Sequence, residues 1–413
     1  MIRPQIERAR SSPGLRTLQS GKIGPSAAPG KAPRRALVTG AGGFIGHHLA
    51  KRLKAEGFWV RGVDIKRPDF EPSPADEFLV ADLRSFEAST AAVRDIQDVY
   101  QLAADMGGIG YIAKFHARLA RNNALINANM LEASRIERIE RYLYTSSACV
   151  YPSFLQDRED VRPLREEDAI PANPEKGYGW EKLFAEQLTT YYHEDEGLDV
   201  RIIRFHNVYG PLGTFEGGRE KAPAAICRKV AEAEDETTIE VWGSGHQTRT
   251  FCFIDDCVDG IRRIMESGHT DPINLGTDTV ITADGLVDLV CSIAGKHLEK
   301  VHNLERPQGV RGRNCDTTAF RALLNWEPQV SLADGIRETY AWIWAELAKQ
   351  GRAKPPMPTM DVPKPIPMEG EPLIRLQTRP VAEGGLRADL DPSLRFVGDD
   401  RTDDGRRHSP DSP

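Results

Sequence analysis

Ala36-Leu37-Val38-Thr39-Gly40-Ala41-Gly42-Gly43-Phe44-Ile45-Gly46 passes from a short apolar run into a glycine turn and then into a helical pattern. Glycines placed between a buried strand and a helix allow a tight turn and close approach of backbone to a pyrophosphate. The free N–H groups of the first helical turn then meet its charge. The spacing is G-x-x-G-x-x-G over Gly40, Gly43 and Gly46, because Ile45 excludes a G-x-G-x-x-G match beginning at Gly40. A lone glycine run also reads as an ordinary flexible turn, so the strand before it and the acid after it carry the weight. That acid is Asp64, closing Val60-Arg61-Gly62-Val63-Asp64, where a carboxylate accepts from ribose hydroxyls and repels a 2'-phosphate. NAD is favoured over NADP, while Lys66 and Arg67 keep the phosphorylated cofactor open. Asp82, in Ala81-Asp82-Leu83, stands where a third-strand loop reaches the adenine, or else is a solvated loop carboxylate.

Outward from the turn, apolar runs alternate with helical patterns: Ala36 to Val38, His48 to Glu56, Trp59 to Val63, Val99 to Ala103. Alternation of this kind predicts an α/β fold, a Rossmann-type doubly wound parallel sheet with a smaller C-terminal substrate-binding lobe. Residues 35–210 should be mainly the NAD-binding domain, and 211–350 mainly the substrate lobe with segments returning to the first. Residues 1–34 are rich in Arg, Ser, Gly and Pro with Glu7 their one acid, and read as a disordered extension or a basic transit peptide. Residues 351–413, proline-rich and then charged, read as a disordered tail, with an SH3-like groove as a less favoured partner. The compact part should end near Lys349 or Gln350.

The 413 residues are 40% hydrophobic and can enclose a sizeable core, and a net charge of -7 gives no general attraction to nucleic acid or anionic membrane. No apolar run reaches the roughly 18 residues a span requires, and the N-terminus lacks the apolar core of a secretory signal. The expectation is a cytoplasmic protein with neither nucleic acid nor membrane as partner. Cys149, Cys227, Cys252, Cys257, Cys291 and Cys315 form no C-x-x-C pair, which argues against a metal knuckle or a disulfide framework.

Two further stretches carry chemistry. Tyr144-Thr145-Ser146-Ser147-Ala148-Cys149-Val150-Tyr151 places a hydroxyl and a thiol at the end of a strand, and Tyr178-Gly179-Trp180-Glu181-Lys182 puts a phenol and an ammonium on one helical face. An unperturbed phenol, with pKa about 10, is a poor base near neutrality, but a nearby ammonium and the nicotinamide charge favour its phenolate. Ser147 would then hold the substrate hydroxyl as its proton leaves. A Tyr-x-x-x-Lys pair alone is more often a helix-surface pair; the glycine turn and Ser147 upstream reverse that balance.

From about Arg35 to Glu346 the chain resembles the extended short-chain dehydrogenase/reductase superfamily, and within it the GDP-mannose 3,5-epimerases. The resemblance lies in Ala103-Ala104-Asp105-Met106-Gly107-Gly108, Ser146-Ser147-Ala148-Cys149-Val150-Tyr151-Pro152, Arg204-Phe205-His206-Asn207-Val208-Tyr209-Gly210-Pro211, Gly217-Gly218-Arg219-Glu220-Lys221-Ala222-Pro223-Ala224-Ala225 and Gly309-Val310-Arg311-Gly312-Arg313-Asn314. It implies that bound NAD oxidises C4 of the sugar, that the resulting 4-ketone acidifies C3 and C5, and that GDP-L-galactose and/or GDP-L-gulose results. Catalytic roles fall on Ser147, Cys149, Tyr178, Lys182 and Lys221, with Cys149 and Lys221 taking and returning carbon-bound protons on opposite faces.

The same resemblance places the cofactor on Gly40, Gly43, Phe44, Ile45, Gly46, Asp64, Asp82, Tyr178 and Lys182. It places the nucleotide sugar on Gly107, Ser147, Ala148, Cys149, Asn207, Glu220, Lys221, Ala222, Lys229, Gln247, Thr248, Arg249 and Arg313, with Lys229 and Arg313 at the pyrophosphate. Such chemistry asks for a thiol lowered by positive charge and a lysine lowered by burial or cations, and Arg219 is the expected source of charge. Trp180 and Thr145 depart from the family pattern and are expected to alter packing near the nicotinamide or the sugar. Helices around Ala113 to Arg138 and Lys182 to Glu196 imply a homodimer. The alternatives are another nucleotide-sugar 4-epimerase or dehydratase of the superfamily, and a non-catalytic NAD-binding scaffold.

Overall fold

The computed structural model describes residues 32–356, so the expectations for residues 1–31 and 357–413 lie outside the described residues. The first half lays down β1 (Arg35–Thr39), α1 (Phe44–Ala55), β2 (Trp59–Asp64), β3 (Glu77–Val80), α2 (Phe86–Val93), β4 (Asp98–Gln101), a short α3 (Ile109–Ile112), α4 (His116–Ile136), β5 (Arg141–Ser147), α5 (Tyr178–Glu196) and β6 (Val200–Phe205). The second half adds β7 (Val208–Tyr209), α6 (Ala222–Glu232), β8 (Thr237–Trp242), β9 (Thr248–Thr250), β10 (Cys252–Phe253), α7 (Ile254–Glu266) and β11 (Pro272–Leu275). It closes with β12 (Val280–Thr282), α8 (Ala283–Ala294), β13 (Leu298–Asn303), α9 (Thr318–Leu324) and α10 (Leu332–Lys349).

Seven strands form one sheet in the order β11-β6-β5-β4-β1-β2-β3, and every pairing in it is parallel. The order reverses between β1 and β4, which opens a crevice beyond their carboxyl ends. Strands buried on both faces read as nearly continuous apolar runs, and alternate residues feed different cores. Ala36 and Val38 join one apolar cluster while Leu37, between them, joins the other. Tyr100 and Leu143 follow the first pair, and Val99, Tyr142 and Tyr144 follow Leu37.

Beyond β6 a smaller layer pairs β8 with β13 in parallel. The buried faces of α6, α8 and α10, including Cys227, Val230, Val290, Ile336 and Ile343, belong to the same cluster as Ala36 and Val38. The two halves therefore share one apolar core. β11 returns to the edge of the main sheet beside β6, which carries residues after 270 back to the first half.

β1 starts at Arg35 and α10 ends at Lys349, and side-chain contacts continue past each end. Arg34 is held by Asp98, with Nε and Nη2 each 2.7 Å from its carboxylate. Past α10, Arg352 reaches Glu216 and Glu232, the Lys354 N–H donates to Ala231 O at 2.8 Å, and Lys296 and Trp344 both donate to Lys354 O. The segment after Gln350 is tied down because it supplies partners to α6, to α10 and to Lys296 just past α8. Among the described residues no helix is long and apolar enough to cross a membrane.

Candidate active site

The ends of β1, β2, β4, β5 and β6 converge on a cavity of about 890 Å³ that also receives the N-terminus of α6 and the segment from Pro307 to Arg313. At the β1 turn, Gly40 has φ +69° and its carbonyl accepts from the Gly43 N–H at 3.0 Å. A Cβ on Gly46 would come 2.3 Å from Gly40 O, and one on Gly42 would come 2.2 Å from Lys66 O. No side chain caps α1 after Gly43, so the amides of its first turn remain for an anion. Asp64 accepts from the Gly42 N–H at 3.0 Å and the Lys66 N–H at 3.2 Å. Burial nevertheless raises its carboxyl above the usual range.

Lys66 and Arg67, the side chains that left NADP open, are otherwise engaged. Lys66 is paired with Asp69, and the Arg67 guanidinium lies 5.4 Å over the Phe78 ring. Asp82 faces the cavity, but Arg84 Nε lies 2.9 and 3.0 Å from its two oxygens and holds it below the usual carboxylate range. The turn with no room for a Cβ, the uncapped helix and the acid at β2 together fit a dinucleotide without a 2'-phosphate.

At the end of β5, Ser147 Oγ accepts from the Cys149 N–H at 3.2 Å and so fixes the turn that carries the thiol. Underneath, Ser146 bonds to Glu186, whose carboxylate is paired at 2.7 Å with the buried Arg204. Lys182 Nζ donates to Thr145 O at 2.9 Å and lies 5.7 Å over the Tyr178 ring. Burial lowers Lys182, with Glu181 and Glu186 opposing.

Two expectations about tuning are corrected here, those for Cys149 and Arg219. Burial, then Cys149 and Glu181, pushes the Tyr178 phenol well above its ordinary value, with a Ser147 hydrogen bond opposing; the nicotinamide charge that favours its phenolate would come from NAD and not from the chain. The Cys149 thiol also goes up, through burial and then Glu175, although Arg313 Nη1 lies 3.5 Å from its Sγ. The charge beside it is thus Arg313. Arg219 instead lies 3.4 Å from Asp105 and stacks 4.0 Å over Tyr111. Lys221, at the N-cap of α6, is lowered by burial, with Cys149 pulling it back.

Over residues 36–276 the chain matches the NAD dependent epimerase/dehydratase family. The chain belongs to that family. It is 45% identical over 315 residues to the GDP-mannose 3,5-epimerase of Arabidopsis thaliana, covering 76% of this chain and 83% of that one. To GDP-mannose 3,5-epimerase 1 of Oryza sativa subsp. indica it is 44% identical over 318 residues, with the same coverage. Among solved structures, the UDP-glucose 4-epimerase of Thermotoga maritima superposes with a TM-score of 0.69 at 26% identity, covering 76% of this chain and 99% of that one. The enzyme is an NAD-dependent epimerase of Rossmann type.

Of the residues singled out in the sequence, Gly40, Gly43, Phe44, Ile45, Gly46, Asp64, Asp82, Gly107, Ser147, Ala148, Cys149, Tyr178, Lys182, Asn207, Glu220, Lys221, Ala222, Lys229, Gln247, Arg249 and Arg313 all line the one cavity. Thr248 does not. Its hydroxyl donates to Glu159 O at 2.5 Å, because strand alternation in β9 turns it away from the face that carries Gln247 and Arg249.

Within the cavity wall several of these residues already have partners. Asn207 Nδ2 donates to Thr250 O at 2.9 Å, Gln247 Nε2 to Trp242 O at 2.7 Å, and Lys229 Nζ to Glu240 O at 2.7 Å. Arg313, expected at the pyrophosphate, is anchored on Gln156 Oε1 at 2.6 Å and aimed at Cys149. Arg249 donates to the carbonyls of Thr248, Gln308 and Val310, and burial with Arg313 pushes it down to about 9. Glu220 Oε2 is buried without a hydrogen-bond partner among the described residues. Gly108 brings two walls together: a Cβ there would sit 2.2 Å from Glu220 O.

Trp180 is corrected outward: it is 51% exposed on α5, away from the cavity. Thr145 serves through its carbonyl, which holds Lys182. Sequence reasoning passed over Glu175 and Gln156, the partners of Cys149 and Arg313, since neither falls in a spaced motif. Asp105 was quoted without a role. It accepts from Tyr111 Oη at 2.8 Å and Asn122 Nδ2 at 2.9 Å, so it pins the Gly107-Gly108 loop to α3 and α4.

Proposed function

We propose that the enzyme epimerises GDP-mannose at C3 and C5 through a transient 4-keto sugar, releasing GDP-L-galactose, GDP-L-gulose or both. The observation that carries this is the opening of Cys149 and Lys221 into the same cavity as Ser147, Tyr178 and Lys182. Inversion at C4 alone requires no such second acid–base pair. The identity to two GDP-mannose 3,5-epimerases supports the same substrate.

Gly40, Gly43, Gly46, the first turn of α1 and Asp64 would hold NAD, which supplies the hydride acceptor and donor for C4. Ser147 would hold the C4 hydroxyl while Tyr178, with Lys182 beneath it, takes and returns the hydroxyl proton. On the carbons next to C4, Cys149 and Lys221 would remove a proton from one face and deliver one to the other. Arg249 and Lys229, cations in the cavity wall with carbonyl partners, would meet the pyrophosphate. A dehydratase would carry an Asp-Glu pair where this chain has Ala148-Cys149, which disfavours that alternative. The intact Ser147, Tyr178 and Lys182 disfavour a non-catalytic scaffold.

A homodimer is part of the proposal. α5 exposes Trp180, Phe184 and Tyr191 at 51, 56 and 51%, with the spacing of one helical face, and a second copy would cover them. The primary test is incubation with GDP-mannose in deuterated water without added cofactor. NMR should show deuterium at C3 and C5 and new GDP-hexose isomers. Failure of exchange in protein that carries NAD would sink the GDP-mannose assignment, and exchange at one carbon only would sink the 3,5 assignment.

A further inference from the structure

Two short stretches from opposite halves of the chain meet in the cavity wall, residues 105–108 after β4 and residues 218–221 before α6. The Gly108 N–H donates to Arg219 O at 3.0 Å, and a Cβ on Gly108 would sit 2.2 Å from Glu220 O. Arg219 then reaches back over the first stretch. Its Nη1 donates to Met106 O at 3.2 Å, its Nη2 donates to Tyr111 Oη at 2.6 Å and lies 3.4 Å from Asp105, and the guanidinium stacks 4.0 Å over the Tyr111 ring. Tyr111 Oη in turn donates to Asp105 at 2.8 Å. Asp105 has a second cation in Arg118 at 3.4 Å, so neutralising its charge does not require Arg219.

These contacts fix the chain that follows. Gly217 and Gly218 have φ +85° and +81°, and no atom of the described residues, chain neighbours aside, lies within 4 Å of a Cβ built on either. The chain entering Arg219 is therefore unsupported at that pair. Two residues further on, Lys221 is the N-cap of α6, and its carbonyl accepts from the Ala225 N–H at 2.9 Å. Lys221 sits between a helix and a clamp, with a swivel before the clamp.

We propose that Arg219 is a positioning residue for Lys221: its fork on Tyr111 Oη and Met106 O locks residues 219–220 against the Gly107-Gly108 loop and so sets where the Lys221 ammonium meets the sugar. The proposal deepens the acid–base role given to Lys221 and rests on it. Arg219 exchanges no proton in this role. An exposed ion pair alone contributes little, whereas a planar fork held on two oxygens and a ring face fixes a direction. Direction matters here because displacing a reacting group by about 1 Å costs up to roughly 100-fold in rate.

Arg219→Met keeps an unbranched stem over Tyr111 and removes the fork, and Tyr111→Phe keeps the ring and removes the hydroxyl. In the NAD-loaded enzyme without sugar, amide hydrogen exchange read by mass should speed up at least about tenfold in the peptides covering residues 104–112 and 214–225 of either variant, with the peptides of β1, β4 and β5 unchanged. With GDP-mannose in deuterated water, deuterium incorporation into the sugar should fall about tenfold in either variant and no further in the double variant. Stopped-flow reduction of bound NAD on adding the sugar should stay within about twofold of wild type, since Tyr178 and Lys182 are untouched. Undiminished protection of residues 214–225 in both variants overturns the proposal. So does an equal fall in NAD reduction and deuterium incorporation, or a double variant whose losses multiply. A wild type that incorporates no deuterium would instead sink the GDP-mannose assignment, and the sugar-free amide exchange would still decide whether Arg219 holds residues 219–221.

Discussion

Cys149 and His206 show how burial outranks the partners that a sequence makes visible. Cys149→Ser leaves the Ser147 cap and the shape of the turn but removes the thiol proton. Deuterium exchange into the sugar should fall by about 100-fold or more while bound NAD, measured by absorbance after denaturation, is unchanged. His206 is fully buried with Nε2 3.0 Å from Asn274 Oδ1, and burial lowers it to about 3. The unfolded chain takes up a proton near pH 6.5 that the folded state refuses, so stability is fully present above that pH and is lost as pH falls toward 3. Between pH 6.5 and about 5 the loss should be roughly 2 kcal/mol. Urea unfolding of the wild type and His206→Gln should show that slope in the first and a flatter one in the second. Side-chain identity at Cys149, Tyr178 and Lys182 was legible in spaced motifs. The direction in which Cys149 and Tyr178 are tuned was not, because burial depends on packing from distant segments such as the one carrying Arg313.

Elements were more legible than tuning. The turn between β1 and α1 announces itself because sterics leave glycine as the residue that fits: a Cβ at Gly46 meets Gly40 O at 2.3 Å. Gly46→Ala should therefore lose bound NAD by at least about tenfold in affinity, read by fluorescence titration, and should lower Tm as the helix is pushed off the strand. Local alternation in β9 was not applied to its own residues, and Thr248 is turned away as a result. α5 carries two faces, one bearing Tyr178 and Lys182 and the other the exposed Trp180, Phe184 and Tyr191. Phe184→Glu on the second face should halve the molar mass seen by sedimentation at micromolar concentration. A mass unaffected by this change would remove α5 from the dimer interface. Helical periodicity contained that second face, but the departure at Trp180 drew attention inward because Tyr178 and Lys182 flank it in sequence.

For the whole molecule, a doubly wound parallel sheet follows from alternation along the first half, while the return of β11 beside β6 has no local signature. Pro272–Leu275 is a short apolar run that reads equally well as a loop-edge strand until its partner is known. The contacts made just past α10 escape local reading for a similar reason. Arg352 and Lys354 look like the start of a proline-rich tail, yet their charges and backbone groups satisfy Glu216, Glu232, Lys296 and Trp344. A chain truncated after Gln350 should melt several degrees below one truncated after Pro356, by roughly 1–3 kcal/mol from the hydrogen bonds and ion pairs lost. Equal melting temperatures would mean that the contacts past α10 contribute nothing.

One apolar cluster runs from Ala36 on β1 to Leu347 on α10. Exchange of lobes between relatives is constrained by that continuity. A chimera joining residues 35–210 of one family member to 211–350 of another would have to match interlocking side-chain volumes, since no hinge or spacer separates them. New sugar specificity on this fold would then arise by changing cavity-wall side chains within an unbroken frame, not by importing a ready-made lobe.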